Sequence, residues 1–234
     1  MSDVDKWYRD YWARYQERIK LNVSLRAPCV SSSQDDELNE IQKVIFARTK
    51  NAPRILDFGA GDNRVKRKFL AAGFKGSYET LDVSDTEKHT YSSLSEVTGK
   101  FDAIFCLEVI EHMSLNDYVD LMDEFGKLLN PGGFLVIGTP NALCVVPMWS
   151  LDTGHIQQYP LADLAADLVV RGFEVEAFRV WHGPWPKGIR KRLRLFAMRV
   201  LCYLLSVDYA HGIVVIGKKQ TPAQAPGSAG ARPG

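Results

Sequence analysis

No two of the four cysteines, Cys29, Cys106, Cys144 and Cys202, are close enough to form a CxxC pair. A zinc ribbon and a dithiol redox motif are thereby excluded, and the reading is a reduced, cytoplasmic compartment. An excess of either charge is missing too. Lys and Arg number 29 against 28 Asp and Glu, so no overall field recruits nucleic acid and no DNA is expected as a partner. The opening Met-Ser-Asp-Val-Asp-Lys is charged, unlike a secretory leader. The one long uncharged stretch, 128–151, is interrupted by Pro131, Gly132, Gly133, Pro140 and Pro147, so it reads as a buried strand and a loop rather than a membrane span. Apolar material is plentiful: 46% hydrophobic against 24% charged residues, over 234 positions, fits one folded domain.

Near the N-terminus, Val4, Trp7, Tyr8, Tyr11, Trp12 and Tyr15 follow the i, i+3, i+4 spacing of one helix face. The expectation is an amphipathic helix whose aromatic face packs on the main domain. A second helix from about Ser33 runs through Leu38, Ile41, Val44 and Ile45 and stops at Asn51 and Pro53. Residues 1–50 thus form a helical cap. From Arg54 onward, strands at 54–58, 78–83, 101–107, 134–139, 173–180 and 212–216 alternate with helices at 65–72, 115–129 and 161–170. That alternation predicts an α/β fold, a mostly parallel sheet with helices on both faces, over 51–220. The Pro-, Gly- and Ala-rich residues 221–234 read as a disordered tail.

Between the first strand and its helix lies Asp57-Phe58-Gly59-Ala60-Gly61-Asp62-Asn63. Glycines there let a ligand approach the backbone at the carboxyl end of a strand. Asp82 ends the next strand, placed to accept hydrogen bonds from both hydroxyls of a ribose. Together they point to a nucleoside-containing ligand. Arg64 occupies the third glycine position of the dinucleotide fingerprint and the P-loop lysine pattern is missing, which disfavours NAD and ATP.

Asp57, Gly59 and Gly61 match the first motif of the class I S-adenosylmethionine (SAM)-dependent methyltransferases, with Asn63 where a third glycine is usual. Asn tolerates left-handed backbone angles better than most residues. Later motifs follow in order: Phe101 to Cys106, then Glu108-Val109-Ile110-Glu111-His112, then Leu129-Asn130-Pro131-Gly132-Gly133, then Thr139-Pro140-Asn141. His155 before a helix, closed by Gly172-Phe173, also fits the layout. The chain therefore resembles this family over about 54–180 plus the last strand, and is similar to its ubiquinone-biosynthesis-type O-methyltransferases. The resemblance implies a Rossmann-like, mostly parallel seven-stranded sheet with an antiparallel last strand. It implies that SAM is bound by Asp57, Gly59, Gly61, Asp82, Cys106, Leu107 and Glu108, with an adenine contact somewhere in 90–97.

Glu108, Glu111 and His112, at i, i+3, i+4, would share one side of a helical turn. With His155 they make a candidate set for a divalent metal such as Mg, similar to metal-assisted O-methyltransferases. Without a metal, His112 or His155 is a candidate general base on a hydroxyl. The insert 183–210 carries Lys187, Arg190, Lys191, Arg192, Arg194 and Arg199 among apolar residues. Its 187–199 segment reads as a helix docked on the core with a solvated basic end, or as a surface for anionic lipid or a phosphate-bearing substrate, which would make the protein peripheral to the membrane. The function expected is SAM-dependent O-methylation of a hydroxyl on a small molecule, glycan or lipid-linked intermediate. The alternatives are a non-catalytic methyltransferase-like binding module and a metal-assisted RNA 2′-O-methyltransferase.

Overall fold

The structure, a computed structural model, describes residues 4–32, 37–84, 88–145 and 152–221. The expected tail, apart from Thr221, and the expected helix start at Ser33 lie outside them. Seven strands form one sheet in the order β1-β6-β7-β5-β4-β2-β3: β1 (Cys29–Ser32), β2 (Arg54–Phe58), β3 (Ser77–Leu81), β4 (Phe101–Leu107), β5 (Leu129–Pro140), β6 (Phe173–His182) and β7 (Gly212–Lys219). Only β7 runs antiparallel to its neighbours, pairing with β5 and β6. The seventh strand is β1, which lies within the segment expected as a helical cap and pairs with β6 at the far edge of the sheet.

Six of these strands hold apolar residues on both faces, and the helices cover both. On one face α3 (Glu40–Thr49) and α4 (Arg64–Ala71) bury Ile41, Ile45 and Phe69 against Ile55, Ala103, Phe105 and Val136. On the other, α5 (Leu115–Leu128) and α6 (Leu161–Val170) bury Tyr118, Phe125, Leu164 and Leu168 against Leu56, Ile104, Cys106 and Ile137. Adjacent residues of β4 thus serve opposite cores, as the two-residue strand period requires. Asn39 starts α3 with a capping box, its side chain accepting from the Gln42 amide at 2.9 Å while Gln42 accepts from the Asn39 amide at 3.1 Å.

The N-terminal helix is two helices, α1 (Val4–Tyr8) and α2 (Tyr11–Leu21), and its aromatic face does not pack as expected. Trp7 meets Tyr118, but Tyr8, Tyr11, Trp12 and Tyr15 are exposed. α2 instead docks on α6 through its polar side, where buried Arg14 meets Asp167 and Arg18 meets Asp163. α7 (Ile189–Leu204) fills most of the basic insert between β6 and β7.

Candidate functional site

The carboxyl ends of β2 and β4 lie where the chain switches sides: β3 flanks β2 on one side and β4 on the other. A crevice at such a point is the usual ligand position of an open α/β sheet. Here it is a cavity of about 860 Å³, within the range of small-molecule sites. One wall is the turn after β2, with Asp57, Gly59, Ala60 and Gly61, and the ends of β4 and β5, with Leu107, Glu108 and Gly138. The other is Ile41, Gln42 and Ile45 of α3 with Val180 and His182 of β6 and Gly183 and Pro184 after it.

The turn is built from left-handed residues in alternation: Gly59 at φ 74°, Gly61 at 50° and Asn63 at 57°. A Cβ at Gly59 would collide with the Val109 side chain, whereas one at Gly61 would meet nothing within 4 Å. Gly61 therefore leaves an open cradle on the wall of the cavity. The amides of Gly59 and Ala60 donate to the Leu81 carbonyl at 2.8 and 3.1 Å. Asp82 accepts from the Gly61 amide at 2.7 Å and from the Ser84 amide at 2.8 Å, which fixes its carboxylate beside the turn. Asp57 is buried under it and accepts from the Tyr78 hydroxyl at 2.8 Å. Burial pushes the Asp57 carboxyl up to about 7. These residues fit a nucleoside-bearing group at the turn. Asp82 itself stands beside the turn and not on the cavity lining, and two other expectations need correction. Cys106 points into the core with α5 and α6 rather than into the cavity, because strand alternation leaves Leu107 as its cavity-facing neighbour. None of residues 90–97 lines the cavity either.

Glu108 also departs from expectation. Its φ of 57° and the short turn at Ile110–His112, in place of a regular helix, break the shared face with Glu111 and His112. Glu108 opens onto the cavity instead. There desolvation by the surrounding protein, and then the nearby charge of Glu111, push its carboxyl up to about 8. Glu111, His112 and His155 do come together, with ligand atoms within 4.8 Å of one another and the two imidazole rings 4.8 Å apart. Glu111 is buried. One carboxylate oxygen accepts from Thr139 at 2.9 Å, and the other is buried with no hydrogen-bond partner among the described residues. Two imidazoles and a carboxylate with an unsatisfied oxygen fit a divalent cation, and that donor set suits Zn or Mn better than Mg. Neither His112 nor His155 lines the main cavity.

His182 does line it, and sequence reading passed over it. It ends β6, its backbone amide donating to Nδ1 of His211 at 2.9 Å. Its side chain is exposed, yet partial desolvation, and then the neighbouring His211, lower its pKa. A lone histidine at a strand end carries no sequence signal. In the sheet it pairs with Ser32 of β1, 150 positions away, which also lines the cavity.

A family model described as a methyltransferase domain matches residues 30–177. A curated relative from Mycolicibacterium smegmatis, described as a "Probable S-adenosylmethionine-dependent methyltransferase", is 34% identical over 85 residues, 35% of this chain. The match spans only about a third, 32%, of that relative's length. Among solved structures, the fold is similar to a SAM-dependent methyltransferase from Archaeoglobus fulgidus (TM-score 0.54, 15% identity, 76% of this chain and 94% of that one). It is equally similar to 1,6-didemethyltoxoflavin-N1-methyltransferase from Burkholderia thailandensis, solved with S-adenosylhomocysteine (TM-score 0.54, 16% identity, 93% and 89% of the two chains).

Proposed function

The chain belongs to the methyltransferase family, and from that membership we propose that it transfers the methyl group of S-adenosylmethionine to an oxygen of a hydroxyl-bearing acceptor. The observation that carries the choice of oxygen is His182, an imidazole of lowered pKa that lines the same cavity as the glycine turn. A hydroxyl must lose its proton as it attacks, and an unprotonated imidazole within reach can take it.

S-adenosylmethionine supplies a methyl already activated on a sulfonium. The chain's own residues then have three tasks. Gly59 and Gly61 let the backbone come close to the donor, while Asp82, fixed by two amides, offers its carboxylate to the ribose hydroxyls. Ile41, Ile45 and Val180 give the acceptor side of the cavity an apolar wall that excludes water and holds the nucleophile in line. His182 accepts the acceptor's proton, and Glu108 opens onto the same cavity with a carboxyl pushed above its ordinary value. A second reading rests on the unsatisfied oxygen of Glu111: Glu111, His112 and His155 hold a divalent cation, whose chemistry is to lower the pKa of a hydroxyl bound to it.

Both readings are tested by incubating the protein with methyl-labelled SAM and a panel of phenols, sugars and primary amines, with and without EDTA, and identifying products by mass spectrometry. We expect a methyl ether, and a His182→Ala loss in kcat of about 10²- to 10⁴-fold. A methylated amine overturns the oxygen assignment, and no transfer to any acceptor overturns catalysis. Sensitivity to EDTA, reversed by Mn or Zn, supports the cation at Glu111; indifference removes it.

A further inference from the structure

α7 turns its apolar surface away from the protein. Cys202 is buried and Leu195 and Met198 are half-buried, at i, i+3 and i+7, and these face the body. On the opposite side stand Ile189, Leu193, Phe196, Val200 and Leu204, at i, i+4, i+7, i+11 and i+15. They are 81, 65, 64, 44 and 71% exposed. An apolar stripe of this length left facing water costs free energy unless something covers it.

Charge says what covers it. Lys187, Arg190, Lys191, Arg192, Arg194 and Arg199 fall on or beside α7, and no Asp or Glu occurs from 177 to 207. Arg192 and Arg199, seven apart, border the stripe on one side, and Arg190 and Arg194, four apart, border it on the other. Arg199 also lies over the Tyr209 ring at 5.3 Å. A second copy of the chain, stripe to stripe, would oppose these cations with an identical set and no acid between them. Spanning a bilayer is excluded for α7: 16 residues extend about 24 Å against a hydrocarbon core of about 30 Å, and no described helix is long and apolar enough to cross. An apolar stripe bordered by cations matches a helix lying in the plane of an anionic membrane surface.

We propose that α7 docks this protein on an anionic lipid bilayer, with Leu193, Phe196 and Val200 in the acyl boundary and the flanking arginines on lipid phosphates. The proposal stands independently of the methyl-transfer reading. Its test is co-sedimentation of the full chain with vesicles of phosphatidylcholine alone and of equimolar phosphatidylglycerol and phosphatidylcholine. Binding is expected to the anionic vesicles and to fall at high salt. Joint replacement Arg190→Gln, Arg192→Gln and Arg194→Gln should weaken it about fivefold for each cation, or roughly a hundredfold, and Phe196→Asp should weaken it as well. All four side chains are exposed, and circular dichroism checks each fold; should Phe196→Asp misfold, the glutamine variant decides. Equal binding to neutral and anionic vesicles, or unchanged binding by the glutamine variant, overturns the proposal. So does a lipid-free dimer that Phe196→Asp dissociates, coupled with no vesicle binding, which would make the stripe a contact between copies.

Discussion

Asp57 shows how one residue can serve the site at a cost to the fold. It supports the glycine turn from beneath and, buried, holds its proton up to a pH of about 7 instead of the usual 3.8. Between those values the folded chain keeps a proton that the unfolded chain has released. Stability therefore falls as pH rises through about 4 to 7, by up to a few kcal/mol, and is flat above. Asp57→Asn keeps an acceptor for the Tyr78 hydroxyl and removes that titration, so its stability should slope less with pH. Urea denaturation of both proteins from pH 5 to 8 measures this; Glu108, raised to about 8, leaves a residual slope in the variant. A wild-type stability that rises over this range would refute the burial argument. At this scale the sequence was readable where a residue type has one conformational habit. Asn63 replaces a glycine and takes the left-handed φ of 57° that Asn tolerates. Glu108 takes the same φ, which is uncommon for glutamate, and its spacing from Glu111 therefore pointed to a shared face that does not form.

At the scale of elements, periodicity marks the faces of a helix without saying which one meets the protein. The aromatic face of α1 and α2 is the more hydrophobic, yet α2 docks by its charged side because α6 presents Asp167, buried and already bonded to the Tyr118 hydroxyl at 2.9 Å and to Arg171 at 2.8 Å. Arg14 completes that group from α2, its guanidinium 3.6 Å from the Trp7 ring centroid. Partners separated by 153 positions leave no local sequence signal. Asp167→Ala would leave buried Arg14 and the Tyr118 hydroxyl without their anion, while Arg171 keeps Asp123 at 2.6 Å, so we expect a loss of about 3–5 kcal/mol, as for a broken buried ion pair. Guanidinium denaturation measures it, and a loss under about 1 kcal/mol would mean that the group is solvated and contributes little. β1 escaped sequence reading for another reason: four residues, one of them buried, show no period. The long strands and α5 were legible because burial on one or both faces imposes their pattern.

For the whole molecule, the order of the elements could be read but their closure could not. Strand-helix alternation and the glycine turn point to a parallel sheet with a ligand at its carboxyl edge, and the strand order bears out the sheet. The second half of the cavity is assembled from residues far apart in the chain, Ile41 and Gln42 from α3 with His182 at the end of β6 and Pro184 after it, and only the folded sheet shows that they converge. A ligand filling the cavity touches both halves, so its binding free energy should act on the whole domain as one cooperative unit. S-adenosylhomocysteine at about a hundred times its dissociation constant adds roughly 2.7 kcal/mol. For a domain of this size that is a Tm rise of about 5–10 °C, in a single transition. Asp82→Ala removes the acid proposed for the ribose hydroxyls and leaves the core untouched, so it should unfold in one transition with most of that rise gone. A full rise in the variant would take the ribose from Asp82. A rise confined to the second of two transitions would mean that the halves of the cavity unfold separately, and that the ligand is held by the glycine turn alone.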